Sequence, residues 1–288
     1  MNEVLNVVVF TCEGREQLLR QTWKSFAPAL EKLTHRRILA VDGQVSPDAV
    51  ACVKPDVLVQ NYRRRGYVQS MLNAIPIVNS EFFFWLEDDW QITGEFDLPR
   101  AVAALKENPR WMQVRWSKKP TLEKDDHPLI PGIHVSSVGF SGNPCLCRTE
   151  LIRQGLQHLV DGPRGNDLAI DFFENILIKW ARDQNLVCTV FDPRGTIAVT
   201  HLGFLESSGR EWLMSASLER EPAEHFFGMG DTSPELWRRL WMACKLSRSM
   251  LGVLLRIPTR DVAYELAYRI ITTTKITLTP TKYTGVRP

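Results

Sequence analysis

The chain has 288 residues, of which 44% are hydrophobic and 24% are charged, and its formal net charge is +2. These values exclude an intrinsically disordered chain and argue against a molecule whose whole surface binds a polyanion. The length is sufficient for one large domain with a C-terminal extension. The charge is unevenly distributed, because residues 234–288 contain ten Lys or Arg against three acids, a balance of +7 that leaves −5 for the remainder.

The first ninety residues alternate predicted strands with predicted helices. Strands are expected at residues 5–10, 38–41 and 57–60, and helices at 15–31, 47–53 and 67–75, the last of them ended or kinked by Pro76. This alternation predicts a right-handed, doubly wound α/β unit, which commonly binds nucleotides. Neither the G-x-G-x-x-G of dinucleotide sites nor the G-x-x-x-x-G-K-[ST] of P-loops is present, which leaves a nucleotide held through a metal ion.

The stretch from Phe82 to Trp90 carries the strongest functional signal. Its large apolar residues do not alternate with polar ones, which predicts a strand buried on both faces near the centre of a parallel sheet. The strand ends in Glu87, Asp88 and Asp89, and open α/β sheets bind ligands at the carboxyl ends of their strands. Three adjacent carboxylates repel one another unless a cation neutralises them, and their oxygens suit Mg²⁺ or Mn²⁺. A solvated acidic turn is the alternative interpretation.

The pattern is less regular after residue 90. A helix is predicted at 97–108, capped by Asp97 with Pro99 in its first turn, and strands are predicted at 111–116, 135–140 and 144–147. Residues 118–131 contain three prolines and are the candidate for a mobile loop over the crevice. A Gly/Pro turn at 161–166, a helix at 168–182 and strands at 186–191 and 196–200 lead to His201.

The six cysteines show neither the paired C-x-x-C spacing of a zinc site nor the density of a secreted disulfide framework, so we expect them to be reduced. Cys145 and Cys147 are two residues apart on a predicted strand, which favours a shared face and a core role over a redox or metal role. The amino terminus lacks the basic start of a signal peptide, and no apolar run is long enough to span a bilayer. A cytoplasmic location is therefore expected.

These patterns, taken in order, resemble the GT-A glycosyltransferases, in particular the inverting family 2. The residues that carry the resemblance are the strand and turn at 7–13, the strand ending in Val41-Asp42-Gly43, the stretch at 61–73 around Gly66, and the strand ending in Trp85-Leu86-Glu87-Asp88-Asp89. The resemblance implies a GT-A (Rossmann-like) α/β fold with a mostly parallel central sheet flanked by helices. It also implies a catalytic domain at 1–203, divided into a nucleotide-sugar-binding half at 1–91 and an acceptor-binding half at 92–203, and a mostly helical C-terminal extension at 204–288.

In this family the acidic triplet is the DxD element, whose last acid binds the divalent ion on the donor diphosphate. The resemblance therefore assigns Asp89 to an Mn²⁺ or Mg²⁺ ion, and Glu87 and Asp88 to the nucleotide sugar or to metal-bound water. The family more often has Asp where Glu87 stands. Some members complete the metal site with a late histidine, which makes His201 a second candidate ligand. A buried histidine that serves the core is the alternative for His201.

Further donor contacts are implied by position. Thr11, Glu13 and Asp42 fall where the family holds the base and the ribose, although a turn cap is the alternative for Asp42. The arginine run at 63–65 falls in the segment that lines the nucleotide. Because guanidinium groups bind phosphate bidentately, Arg63 and Arg65 are candidates to clamp the diphosphate, and at least one arginine of the run is expected to be solvated.

Inverting transfer also needs a carboxylate that takes the proton from the acceptor hydroxyl. In family 2 this acid lies at the start of a helix after the acceptor-binding loop, and the matching segment here is 167–175. Asp171 and Glu174, three residues apart on one helical face, are the candidates, with Asp167 in reserve. Acids that only interact with the helix dipole are the alternative.

A basic amphipathic helix is predicted at 235–257, which contains five Arg or Lys among Leu, Trp and Met residues. It is suited to packing on the catalytic domain, to peripheral contact with an anionic membrane, or to contact with DNA or another nucleic acid.

The predicted activity is metal-dependent transfer of a hexosyl or pentosyl group, with inversion, from a nucleotide sugar to a hydroxyl. A UDP-sugar is the expected donor, and a glycan, a lipid-linked glycan or a modified nucleic-acid base is the expected acceptor. A nucleotidyltransferase of related α/β fold and a non-catalytic nucleotide-sugar-binding module are the rival hypotheses.

Overall fold

The computed structural model describes residues 4–118, 125–162, 173–192 and 197–202. The chain divides after Leu202, and every described residue lies in the first unit, Met1–Leu202. The predicted basic helix and the rest of the C-terminal extension lie outside the described residues, so the predicted domain boundaries stay predictions. No helix in the described part of the chain has the length and hydrophobicity needed to cross a membrane.

The first half of the unit alternates strands and helices as predicted. Its elements are β1 (Leu5–Cys12), α1 (Glu16–Leu30), β2 (His35–Asp42), α2 (Pro47–Val53), β3 (Val57–Asn61), α3 (Tyr67–Ala74), a short 3-10 helix (Ile75–Ile77) and β4 (Phe82–Glu87). The four strands are parallel and adjacent in the order β3-β2-β1-β4. Helix α3 ends two residues before Pro76, which agrees with the predicted end of this helix.

The second half adds strands of both directions. Its elements are β5 (Trp90–Ile92), α4 (Leu98–Glu107), β6 (Trp111–Trp116), β7 (His127–Ile130), β8 (Ile133–Val135), β9 (Cys145–Arg148), α5 (Thr149–Asp161), α6 (Phe173–Asp183), β10 (Val187–Phe191) and β11 (Val199–His201). Nine strands form one sheet in the order β3-β2-β1-β4-β9-β6-β10-β8-β7, and β5 pairs with β11 in a separate two-stranded sheet.

The central sheet is mixed, whereas a mostly parallel sheet was predicted: β9 and β8 run opposite to the other strands. Strand β9 is antiparallel to both of its neighbours, β4 and β6, and β8 is antiparallel to β10 and β7. The chain enters β9 from β8 through a connection without a helix. β8 and β9 run in the same direction, and β9 begins at the carboxyl edge of the parallel strands, where Cys145 pairs with Trp85, so it runs opposite to β4 and β6.

Three elements of the second half differ from the predictions. The strand expected at 135–140 shares only Val135 with β8, because the chain turns at 136–139, where Gly139 has a φ of +84° and its N–H donates to the Ser136 carbonyl. The loop expected at 118–131 contains β7, which pairs with β8. Helix α5 was not predicted. It contains Gly155, which lowers helix propensity but lies so close to α6 that a Cβ would meet Leu177 Cδ2 at 2.7 Å.

Strand β4 is buried on both faces, as the sequence predicts. Phe82, Phe84 and Leu86 belong to a core cluster that includes residues of α1, α2 and α4. Phe83 and Trp85 belong to a second cluster that includes residues of α3, α5 and α6. Helices therefore cover both faces of the sheet, and the acidic triplet emerges from the core at its carboxyl edge.

Cys145 and Cys147 belong to the second cluster, with their Sγ atoms 3.4 Å apart, and both are free thiols. Their placement agrees with the predicted core role.

Candidate active site

The carboxyl ends of the four parallel strands bring most of the predicted donor residues to one edge of the sheet. The strand register pairs Cys12 with Asp42, Asp42 with Asn61, and Phe10 with Glu87. Thr11, Asp42 and the acidic triplet therefore line the same edge, where parallel sheets bind ligands.

Asp88 and Asp89 are buried, with 4% and 5% of their surfaces exposed. Arg15, the residue before α1, contacts both. Its Nε donates to the two oxygens of Asp88 at 3.0 Å, and its Nη2 lies 2.8 Å from Asp88 Oδ1 and 2.5 Å from Asp89 Oδ2. The Thr11 hydroxyl donates to Asp88 Oδ2 at 2.5 Å. One guanidinium thus offsets the repulsion between two buried carboxylates.

The two-stranded sheet brings His201 to Asp89. Strand β11 pairs with β5 so that His201 lies opposite Trp90, and the Leu202 N–H donates to the Asp89 carbonyl at 2.6 Å. His201 Nε2 is consequently 3.1 Å from Asp89 Oδ2. Helix α1 fixes the other strand, because the Thr22 hydroxyl accepts the Trp90 N–H at 3.0 Å.

Asp89 and His201 fit the protein's share of an Mg²⁺ or Mn²⁺ site. Asp89 Oδ1 is buried and has no hydrogen-bond partner among the described residues. The described ranges contain no group of three or more His, Cys, Asp and Glu side chains arranged to hold a metal ion. Two protein ligands nevertheless agree with the chemistry of these ions, which take one or two carboxylates and complete their shell with substrate phosphates and water.

The three acids of the triplet have different proton affinities. Burial raises the pKa of Glu87 to about 8, with the Asp89 charge acting in the same direction. Burial also raises the pKa of Asp88 to about 6, although Arg15 opposes this shift. Burial acts to raise the pKa of Asp89 as well, but the contacts with His201 and Arg15 outweigh it and hold the pKa below its ordinary value. Asp89 is therefore the carboxylate most strongly held in its charged form.

Glu87 and Glu174 meet on either side of Gly142. A Cβ at Gly142 would lie 3.0 Å from Glu87 Oε1 and 3.4 Å from Glu174 Oε1. The Trp90 indole N–H donates to Glu87 Oε2 at 3.2 Å, and the Tyr67 hydroxyl also hydrogen-bonds this carboxyl group. The glycine allows carboxyl groups from the two halves of the unit to approach each other.

Glu174 is the predicted base candidate that the structure describes. It lies in the first turn of α6. Its Oε1 accepts the Gly142 N–H at 2.5 Å and the Ser141 hydroxyl at 3.3 Å. Asp171 and Asp167 lie outside the described residues.

Asp42 makes the contacts of a turn cap. Its Oδ1 accepts the Arg65 N–H at 2.7 Å, and its Oδ2 accepts the Gly66 N–H at 3.0 Å. Glu13 is exposed, and its Oε2 accepts the Gln44 N–H at 3.0 Å. The donor-binding roles of both acids stay predictions.

The three arginines of the run at 63–65 are exposed. The Arg64 guanidinium lies 3.6 Å from Cys12 Sγ, at the end of β1. Sequence reasoning favoured Arg63 and Arg65 over Arg64, so it omitted the arginine whose side chain contacts a strand end.

Sequence reasoning also omitted Arg15, Tyr67 and the Ser141-Gly142 pair. The sequence signal that could have identified Arg15 is its place in the turn between β1 and α1, since a neighbouring strand ends in three acids that need a cation.

A scan against models of protein families and a search of curated proteins found no match. Among solved structures, the chain is similar to the mannosyltransferase PcManGT from Pyrobaculum calidifontis in complex with GDP-Man and Mn²⁺. The TM-score is 0.57 at 13% sequence identity, and the match covers 96% of this chain and 88% of that chain. The likeness at this identity concerns the fold. The protein therefore has the α/β fold of the GT-A glycosyltransferases, with a nine-stranded mixed sheet at its centre.

Proposed function

We propose that the protein is a metal-dependent glycosyltransferase that moves a sugar from a nucleotide sugar to a hydroxyl group with inversion. The observation that carries the proposal is Asp89, a buried carboxylate at the carboxyl edge of a GT-A-type sheet. One of its oxygens has no hydrogen-bond partner in the part of the chain that the structure describes, and His201 lies beside it. Asp89 and His201 would hold the ion. A bound Mn²⁺ or Mg²⁺ supplies charge neutralisation to the departing diphosphate.

The donor is proposed to lie along the edge formed by β1, β2 and β4. Glu13 and Asp42 flank the place where the base and ribose would bind, and the exposed arginines at 63–65 offer guanidinium groups to the diphosphate. The similar solved structure holds GDP-Man, which supports a nucleotide-sugar donor. The sequence favours a UDP-sugar, so UDP- and GDP-sugars are the first donors to compare.

Glu174 is proposed as the general base. It would take the proton from the acceptor hydroxyl as that oxygen bonds to the anomeric carbon, while the bond from this carbon to the diphosphate breaks. The Gly142 N–H and the Ser141 hydroxyl fix the orientation of its carboxylate. Glu87, the first acid of the triplet, lies on the other side of Gly142. Asp171 is the alternative base.

Release of free nucleotide from UDP-, GDP-, TDP- and CDP-sugars, with Mn²⁺, Mg²⁺ or EDTA, tests the activity. We expect slow hydrolysis of one donor that requires the ion. Asp89→Asn should lower this rate by at least about 100-fold, because the ion loses its charged protein ligand. The matched control is Asp48→Asn, which makes the same change at an exposed aspartate that pairs with Arg20 at the surface. Release that persists in EDTA, or that Asp89→Asn does not reduce, would contradict the metal dependence.

Glu174→Gln tests the base. We expect the rate of donor hydrolysis to fall by about 100-fold or more, since Gln cannot accept a proton, while the Kd for the donor changes by less than about threefold. Hydrolysis rates and calorimetric titration of the donor measure the two quantities. Glu150→Gln, at an exposed position in the first turn of α5, is the control. If Glu174→Gln hydrolyses the donor at the wild-type rate, Glu174 is not the base and Asp171 becomes the candidate.

A further inference from the structure

We propose that Arg15 is a positioning residue that serves as the internal counter-ion of the ion-free site. It holds Asp88 and Asp89 in place while no divalent ion is bound, and it releases its contact with Asp89 when an ion binds. This inference rests on the proposed function, because it concerns the same pair of aspartates.

Arg15 is anchored at both its backbone and its side chain. Its backbone N–H donates to the Cys12 carbonyl at 3.3 Å, and its carbonyl accepts the Leu19 N–H at 3.0 Å in the first turn of α1. Only 14% of its side chain is exposed. The guanidinium is therefore a fixed part of the site rather than a surface group that visits it.

The contacts of Arg15 with the two aspartates are unequal. Its Nε and Nη2 both contact Asp88, whose Oδ2 also accepts the Thr11 hydroxyl. Asp89 receives only Nη2, on Oδ2. Giving up the single contact with Asp89 would leave the fork on Asp88 in place. This asymmetry suits a residue that exchanges one partner and keeps the other.

The charges indicate why this exchange is needed. Two buried carboxylates share one guanidinium and the His201 imidazole, and Asp89 Oδ1 has no hydrogen-bond partner among the described residues. A divalent ion at Asp89 would give this oxygen a partner, but it would also lie within a few ångströms of Arg15. Two cations at that distance repel each other even at the dielectric constant of water, so Arg15 must weaken ion binding.

The test is a titration of the purified full-length protein with Mn²⁺ alone, followed by electron paramagnetic resonance of the free ion. Arg15→Met keeps an unbranched side chain about as long as the arginine side chain up to Nε, and it removes the charge. We expect the Kd for Mn²⁺ to fall by about tenfold or more. We also expect the melting temperature in EDTA to fall, because two buried carboxylates lose their cation, and saturating Mn²⁺ to recover most of the loss.

Two further variants separate charge from geometry. Arg15→Lys retains the charge without the guanidinium fork, so its Kd for Mn²⁺ should stay within about threefold of the wild-type value while its melting temperature in EDTA falls. Arg20→Met removes an arginine of α1 that pairs with Asp48 at the surface, and it should change neither quantity. Arg15→Lys also keeps the test decisive should Arg15→Met fail to fold, because a tenfold tighter Kd in Arg15→Lys would contradict the repulsion argument.

The outcomes distinguish this inference from the proposed function. Wild-type protein that binds Mn²⁺ as tightly as folded Arg15→Met, or more tightly, overturns the counter-ion role and leaves the glycosyltransferase proposal intact. Failure of both proteins to bind Mn²⁺ at millimolar concentration overturns the metal site itself, and the counter-ion role with it.

Discussion

The ends of β2 and β4 both place a buried aspartate at the same edge of the sheet, but the two carboxylates are held differently. Both oxygens of Asp42 accept backbone N–H groups, from Arg65 and Gly66, and the Asn61 side-chain amide adds a longer contact of 3.3 Å to Oδ1. The side-chain oxygens of Asp89 contact the side chains of Arg15 and His201, and its Oδ1 has no partner among the described residues. A carboxylate bound by backbone amides shapes a loop, whereas one bound by side chains is able to exchange partners.

The position of an aspartate at the end of a strand therefore does not separate a loop cap from an ion ligand. The sequence marks Asp42 and Asp89 in the same way, as acids at the carboxyl ends of β strands. What separates them is the chain that packs around each carboxylate. Backbone N–H groups just before α3 reach Asp42, whereas side chains that precede α1 and end β11 reach Asp89.

Single substitutions of Asp42 and Asp89 should give the larger of the two effects on stability that we predict. Asp42→Asn replaces an acceptor oxygen with an NH₂ group, so a backbone N–H of Arg65 or Gly66 loses its acceptor, at a cost of about 1–3 kcal/mol. Asp89→Asn should cost less in EDTA, because Arg15 keeps its contacts with Asp88 and one of the buried charges is removed. Urea unfolding of the two variants in EDTA measures the difference. Equal losses in both variants would contradict the distinction between the two strand ends.

The smaller effect is the pH-dependent gain in melting temperature expected for Glu87→Gln. It extends the comparison to Glu87, the first acid of the triplet. Burial raises the pKa of Glu87 from 4.5 to about 8, so the folded protein keeps a proton that the unfolded chain releases. The contribution of Glu87 to stability is complete below pH 4.5 and is lost as the pH rises through about 8. Gln does not ionise. Relative to wild type, the variant should therefore gain a few degrees in melting temperature between pH 5 and 9.

Thermal unfolding in EDTA across this pH range is the measurement, and Glu150→Gln at an exposed site is the control. If the melting temperatures of Glu87→Gln and wild type differ by the same amount at every pH between 5 and 9, Glu87 is ionised throughout this range.

The first half of the fold could be predicted because its signals are local. The alternation of apolar runs with helical periods located β1, α1, β2, α2, β3 and α3, and the unbroken apolar run before Glu87 identified a strand buried on both faces. The direction of β9 could not be predicted, because it depends on the route of the preceding connection and not on the residues of the strand. Helix α5 was missed because Gly155, which weakens a helix locally, serves its contact with α6.

The candidate site divides in a similar way. The acids at strand ends follow from the sequence, and the resemblance to the family supplied His201 and Glu174. Arg15 did not follow from it, because an arginine in a turn is usually solvated and its partners are 73 and 74 residues away in the chain. The approach of Glu87 to Glu174 at Gly142 depends on the packing of the two halves of the unit, which no local pattern encodes.

The pairing of β5 with β11 also has a consequence for folding. It joins residues that are more than a hundred positions apart, and the Leu202 N–H then binds the Asp89 carbonyl. Contacts of such high sequence separation form late, because a long loop must close first. During synthesis the acidic triplet leaves the ribosome well before His201. The carboxylates would therefore be present before the imidazole that contacts Asp89. Ion affinity would then report whether the first unit of the chain has finished folding.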